Sequence, residues 1–143
     1  MTDEVAINTR AKENMVYTMS DVPLDLKKNL SYSKHELLRM CSFNGKQCDI
    51  DSDFILHQDA VYGNCFIFNS ELGKSFSSNK AGPSYGLRLL TYVDTDTYLP
   101  TTEAAGVRMQ IHGKHEHPYP DTFGFSAPTG FISSFGIHLA SLF

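Results

Sequence analysis

Hydrophobic and polar positions change their period along the chain, from a four-residue repeat at the start to a two-residue repeat further on. From Val5 to Met19 the apolar residues Ile7, Ala11, Met15 and Met19 recur every four positions, with Arg10, Lys12, Glu13 and Asn14 elsewhere. That spacing predicts an amphipathic helix. Asp21-Val22-Pro23 ends it, because the residue before a proline is pushed out of the α region. Pro23 then suits the first helical position of a short segment reaching Leu30. Ser33 and Glu36 form a capping box, each side chain placed to satisfy the other's backbone N–H. Leu37, Leu38, Met40 and Cys41 follow it, so a further helix is expected to run to Ser42–Asn44, where Asn44-Gly45 signals a turn.

Strand signals dominate afterwards. The segment 49–58 carries Ile50, Phe54 and Leu56 among acids and amides and reads as a loop leading into a strand. Tyr62–Asn69, YGNCFIFN, has the aromatic and β-branched density of a buried strand. The polar stretch Glu71–Gly82 reads as an exposed hairpin loop. Within Gly86–Gly124, Leu87, Leu89 and Thr91 oppose Arg88, Leu90 and Tyr92, and later Val107, Met109 and Ile111 oppose Arg108, Gln110 and His112. This period of two predicts a pair of half-buried strands flanking a proline-bearing connection. After His117 prolines and glycines predict turns, ending in a strand over 131–139. The fold class expected is α+β, with helices in the N-terminal third and mainly antiparallel strands after it.

Composition fits one globular domain spanning 1–143: 41% of residues are hydrophobic and 20% charged. A compact domain of this size would bury about 68–70% of its unfolded surface. The net charge of −4 argues against a nucleic-acid partner, which usually meets a basic face. An acidic N-terminus does not resemble a secretory signal, and no apolar run reaches the about 18 residues of a membrane helix.

Candidate chemistry is sparse. His112, His115, Glu116 and His117 carry zinc-type ligands, but the spacing is not H-E-x-x-H, and the neighbours Glu116 and His117 point to opposite faces if extended. A solvated turn, with histidines free to respond to pH, is the better reading. Asp49, Asp51, Asp53 and Asp59 offer calcium-type oxygens, yet the glycine and glutamate of an EF-hand are missing. Neither a G-x-S-x-G elbow nor a phosphate-cradling glycine loop is present, so no catalytic residue, metal or cofactor is expected. Asn29-Leu30-Ser31 is a glycosylation sequon, meaningful only outside the cell. Three cysteines leave two readings open: reduced thiols in a cytosolic protein, or one unpaired thiol in an oxidising compartment. Cys41 and Cys48 are close enough in sequence to close a small loop across the Asn-Gly turn, worth about 2.5 kcal/mol if bridged.

Four stretches together resemble the extracellular domain of the degenerin and epithelial sodium channel family: CSFNGKQCDI (41–50), YGNCFIFN (62–69), the run 81–112 and HPYPDTFGFSAPTGFISSFG (117–136). With TRAKEN (9–14) they look most like the touch-channel degenerins. The resemblance implies a subunit of a trimeric, amiloride-sensitive sodium channel at the plasma membrane, with a disulfide-rich extracellular domain likened to a hand. It would place a helical finger-like part at 5–48 and a β-rich palm, β-ball and knuckle-like part at 49–143. It implies a Cys41–Cys48 bridge and gives Cys65 a partner outside this chain. Other channel subunits would be partners, with extracellular matrix or accessory proteins as further ones.

The resemblance also has departures. Ile67 stands where the family usually has threonine, and IHLASLF (137–143) replaces a basic continuation. Acid-sensing members use clustered carboxylates; here Arg88 takes one such place and a short connection leaves Glu103. Mechanical gating is therefore the expectation, with Glu103 and His112 as modulatory candidates. The alternative is a soluble interaction module that binds and modulates full subunits.

Overall fold

The computed structural model describes residues 3–139, so the outermost ends of the expected 1–143 domain and the last residues of the IHLASLF tail lie outside the description. Helices α1 (Glu4–Ser20), α2 (Leu24–Leu30) and α3 (Lys34–Leu37) lead into β1 (Leu38–Phe43) and β2 (Lys46–Gln47). Then come α4 (Ile50–Asp53), β3 (Phe54–Asp59), β4 (Gly63–Phe68), β5 (Leu87–Thr91), β6 (Gly106–Met109), α5 (Pro120–Phe123) and β7 (Phe125–Pro128). The chain is α+β, and among the described residues its strands pair antiparallel in three small sheets ordered β2-β1-β5, β3-β4 and β6-β7.

Asp3 starts α1 by accepting from the N–H groups of Val5 and Ala6 at 3.1 and 3.4 Å. No residue of α1 is buried, so its apolar positions find no partner surface among the described residues. Pro23 is the N-cap of α2, one position before the helical place its fixed φ suggested. The capping box forms in both directions, with Glu36 N–H donating to Ser33 Oγ and Ser33 N–H to Glu36 Oε2.

The helix expected beyond that box stops at Leu37, and the chain continues as β1. Pairing with β5 shifts register between Leu38 and Met40, which inserts an extra residue at Arg39. This bulge turns Leu38 and Cys41 to the same buried face. Their spacing of three mimics a helical period, which is why the sequence pattern misleads. Asn44 and Gly45, at φ of 53° and 74°, make the two-residue turn between β1 and β2.

Three strand expectations change. Glu71–Gly82 is not a hairpin loop, because β4 pairs back to β3 and β5 pairs with β1. The two strands of Gly86–Gly124 do not pair with each other; β6 stops at Met109 and takes β7 as its partner. The segment 131–139 forms no strand, and Phe131 and Ile132 are 78% and 97% exposed. Strand β7 instead falls within the proline-rich stretch, with Pro128 at its end. The helical part expected at 5–48 also holds β1 and β2.

Among the described residues Leu38, Cys41 and Phe54 are the buried hydrophobic ones, with Cys48, Ile50, Phe66 and Phe68 packed on them. Phe68 stacks on Phe76 at 4.6 Å and tilts against Phe43 and Phe54 at 5.5 and 5.3 Å. Around this small centre the accessible surface is 11162 Å². A compact monomer of this mass would expose about 7,400 Å², and its extended chain roughly 23,000 Å². Only about half of the unfolded surface is therefore removed from water, short of what a compact domain achieves.

Candidate functional site

Cys41 and Cys48 are joined in a disulfide whose Cα atoms lie 5.3 Å apart. The turn at Asn44-Gly45 folds β2 back along β1, bringing the cysteines together at the edge of the core. Cys65 is free and half-buried on β4, opposite His57 of β3. Burial, then the charge of Asp59, pushes its thiol up to about 11, so it stays protonated and a poor nucleophile.

The acids of 49–59 are spent on structure. Asp49 caps α4, accepting from Asp51 N–H at 3.0 Å and from the Ser52 hydroxyl at 2.9 Å. Asp53 is buried, accepts from Asp49 N–H at 2.8 Å and pairs with Lys74 at 3.3 Å. That backbone bond, ahead of Lys74, holds its carboxyl below the usual range. Asp51 meets His35 at 2.6 Å, and Asp59 accepts from the N–H groups of Val61 and Tyr62 at 2.9 Å. Among the described residues no three His, Cys, Asp or Glu side chains converge on a metal position.

Histidines 112–117 also disperse. His112 Nδ1 lies 2.8 Å from the Gly113 carbonyl, whereas His115 Nδ1 pairs with Glu71 Oε2 at 3.1 Å. Glu116 turns back to accept from Gly113 N–H at 3.0 Å. His117 packs edge-on against His57 with ring centroids 5.0 Å apart. Glu103 pairs with Lys12 of α1 at 3.3 Å and, among the described residues, has no polar contact with His112. Arg88 sits on β5 opposite Ser42, and Asn29 is exposed at the end of α2.

Sequence reasoning missed the ties that hold these parts in place. Asn64 is buried, receives Gln58 Nε2 on its amide oxygen and donates to the carbonyls of Lys28 and Tyr32 at 2.9 and 3.0 Å. Tyr32 Oη accepts from Asp94 N–H at 3.0 Å, which anchors the chain after β5. Arg108 donates to the carbonyls of Pro120 and Asp121 at 2.8 and 3.2 Å and to Ser126 Oγ at 2.8 Å, holding α5 and β7 on β6. Arg108 appeared in the strand pattern as the polar side of an alternation, a signal that marks exposure and not a partner.

The geometry is that of a disulfide-closed α+β scaffold whose polar side chains cap helices and tie elements together. A family model described as the amiloride-sensitive sodium channel matches residues 2–143. Degenerin del-1 of Caenorhabditis elegans is 58% identical over 142 residues, covering 99% of this chain and 21% of the relative. Degenerin deg-1 of the same organism is 56% identical over 137 residues, covering 96% of this chain and 18% of the relative. Degenerin mec-4 of Caenorhabditis briggsae is 54% identical over 142 residues, with 99% and 18% covered. The chain belongs to the amiloride-sensitive sodium channel family, among the degenerins. It spans about a fifth of the length of these curated relatives. None of the described helices is long and apolar enough to cross a membrane.

Proposed function

We propose that this chain is an extracellular segment of a degenerin-type sodium channel subunit, part of the scaffold that couples an external stimulus to a pore built elsewhere. The observation that carries this reading is the near-complete match of the chain to a fifth of each relative, with no membrane-crossing helix among the described residues. The open surface fits it as well, since α1 and β5 present Ile7, Tyr17, Leu87 and Leu90 without covering partners. By itself the segment conducts no ions, because a pore needs elements that satisfy their backbone across the bilayer.

In this reading the segment faces the outside of the plasma membrane within an assembly of several subunits, with matrix or accessory proteins as further contacts. Asn29 carries a glycan, which its exposure permits, and Cys65 pairs outside the chain. The stimulus is mechanical load. Arg88 in place of a carboxylate and the engagement of Glu103 with Lys12 support that choice over a proton-sensing carboxylate cluster. Glu103 and His112 modulate the response.

The test replaces the matching fifth of a conducting degenerin with this chain and records amiloride-blocked sodium current in oocytes. Retained current, with a glycosidase-sensitive mass at Asn29, is expected. A chimera that reaches the cell surface and passes no current overturns the reading. The exposed apolar surface also favours a second one, a module that binds full subunits from outside. Co-purification of the separate chain with an unmodified subunit, alongside a silent chimera, selects that alternative.

A further inference from the structure

Residues 131–139 carry the pattern of a strand and have no strand beside them. Phe131, Phe135, Ile137 and Leu139 fall on one side of a two-residue alternation, with Ile132, Ser134, Gly136 and His138 on the other. Among the described residues no backbone hydrogen bond is found for this segment, and Leu139 is 92% exposed. Phe135 leans on Phe125 of β7, ring centroids 5.8 Å apart, which keeps the segment close to the body. No Asp, Glu, Lys or Arg occurs after Asp121, so the charges that usually keep such a segment from pairing are missing.

Strand β5 has the complementary need. It ends its sheet, paired with β1 along one side, and among the described residues its outer row of N–H and C=O groups has no backbone partner. Leu87, Leu89 and Leu90 are all exposed, so both faces of the strand are apolar and open. A strand apolar on both faces is typical of the interior of a sheet, not of its edge. Arg88 is its single charge. The β3–β4 pair is better covered, by His117 against His57 and by α2 through the Asn64 bond to Lys28.

We propose that the segment 131–139 of one copy adds as a strand to the free edge of β5 in a second copy, and that the exchange is reciprocal, closing a two-fold dimer of this chain. Main-chain hydrogen bonds supply the attraction in such strand addition, and alternate side chains supply the fit. Nine extended residues reach about 30 Å, against roughly 17 Å for the five of β5, so the added strand spans the whole edge. The accessible surface exceeds that of a compact monomer by roughly 3,800 Å², within the about 2,000–5,000 Å² that permanent interfaces bury. Each copy carries both a donor and an acceptor, so reciprocal pairing leaves neither half over, whereas one-way pairing would grow without closing. Nothing in this contact requires a pore or any other part of a channel.

Sedimentation equilibrium on the oxidised 143-residue chain, over roughly 1–100 µM, reads the association directly. The expected result is a reversible shift from 16.0 kDa to twice that mass, with amide exchange over 87–91 and 131–139 slowing together as the dimer forms. Ile137→Pro removes an N–H from the donor, and Leu90→Lys puts a charge on the acceptor edge; each should weaken the dimer roughly tenfold or more. Ile137 stands outside every helix and strand and is exposed, so its variant carries the test if Leu90→Lys does not fold. A chain that stays monomeric, a dimer that survives either substitution, or a dimer whose 87–91 and 131–139 amides exchange as fast as in the monomer overturns the proposal.

Discussion

The backbone N–H of Cys48 donates to the carbonyl of Cys41 across 3.1 Å, so these two residues are linked by a hydrogen bond as well as by their sulfurs. Removing the bridge by a Cys41→Ala, Cys48→Ala double change should cost about 2.5 kcal/mol, the loop-closure entropy of so short a ring. Urea denaturation of the two forms measures it. Non-reducing alkylation of the natural chain should label Cys65 alone.

Asn64 connects α2 to β4 through its bonds to the Lys28 and Tyr32 carbonyls. In Asn64→Ala both acceptors lose their donor inside a partly buried joint. We expect a loss of roughly 1–3 kcal/mol and faster amide exchange in α2, with β6 and β7 unaffected.

Gly124 marks a close approach of backbones. A Cβ there would collide with the Pro120 carbonyl and lie 2.9 Å from that of Met109. Gly124→Ala should cost about 1–3 kcal/mol in thermal or urea melts by forcing α5 off β6. Gly136→Ala, with open space around it, is the control and should change nothing.

Low pH attacks the α4 junction. Hydrogen bonds from Ser52 and from the Asp49 backbone hold Asp49 and Asp53 below the ordinary carboxylate value. Their contribution is full above about 3.9, the unfolded value, and disappears as pH falls through the lower folded values. An acid titration should therefore loosen α4 and β3 only below about pH 4. Asp53→Asn should blunt that acid transition.

Much of the helical start was legible because its signals are local: the four-residue repeat of α1, the proline at α2 and the Ser33–Glu36 box all act within a turn or two. Replacing Ser33 by Ala should cost about 1 kcal/mol through the lost cap, as urea melts would record. What followed was not legible, because strand partners are chosen by distant segments. Leu38 and Cys41 carry helical spacing, yet β5 captures them and a bulge at Arg39 reconciles the spacing with a strand. The alternation of Leu87–Tyr92 and Val107–His112 announces strands without naming their neighbours. The same limit hid His57: its segment is weakly patterned, and only the folded chain sets its ring beside His117.

The bridge across the Asn44-Gly45 turn also fixes how tension travels. Pulling along the chain from Met40 towards Asp49 passes through two sulfur atoms instead of around the turn, so Ser42–Gln47 carries no load. Since β1 is the middle strand of its sheet, a tug arriving from α4 reaches the centre of that sheet undiminished. The hairpin tip stays slack, and the covalent short circuit makes this corner of the protein stiff along the one direction in which its hydrogen bonds would otherwise unzip.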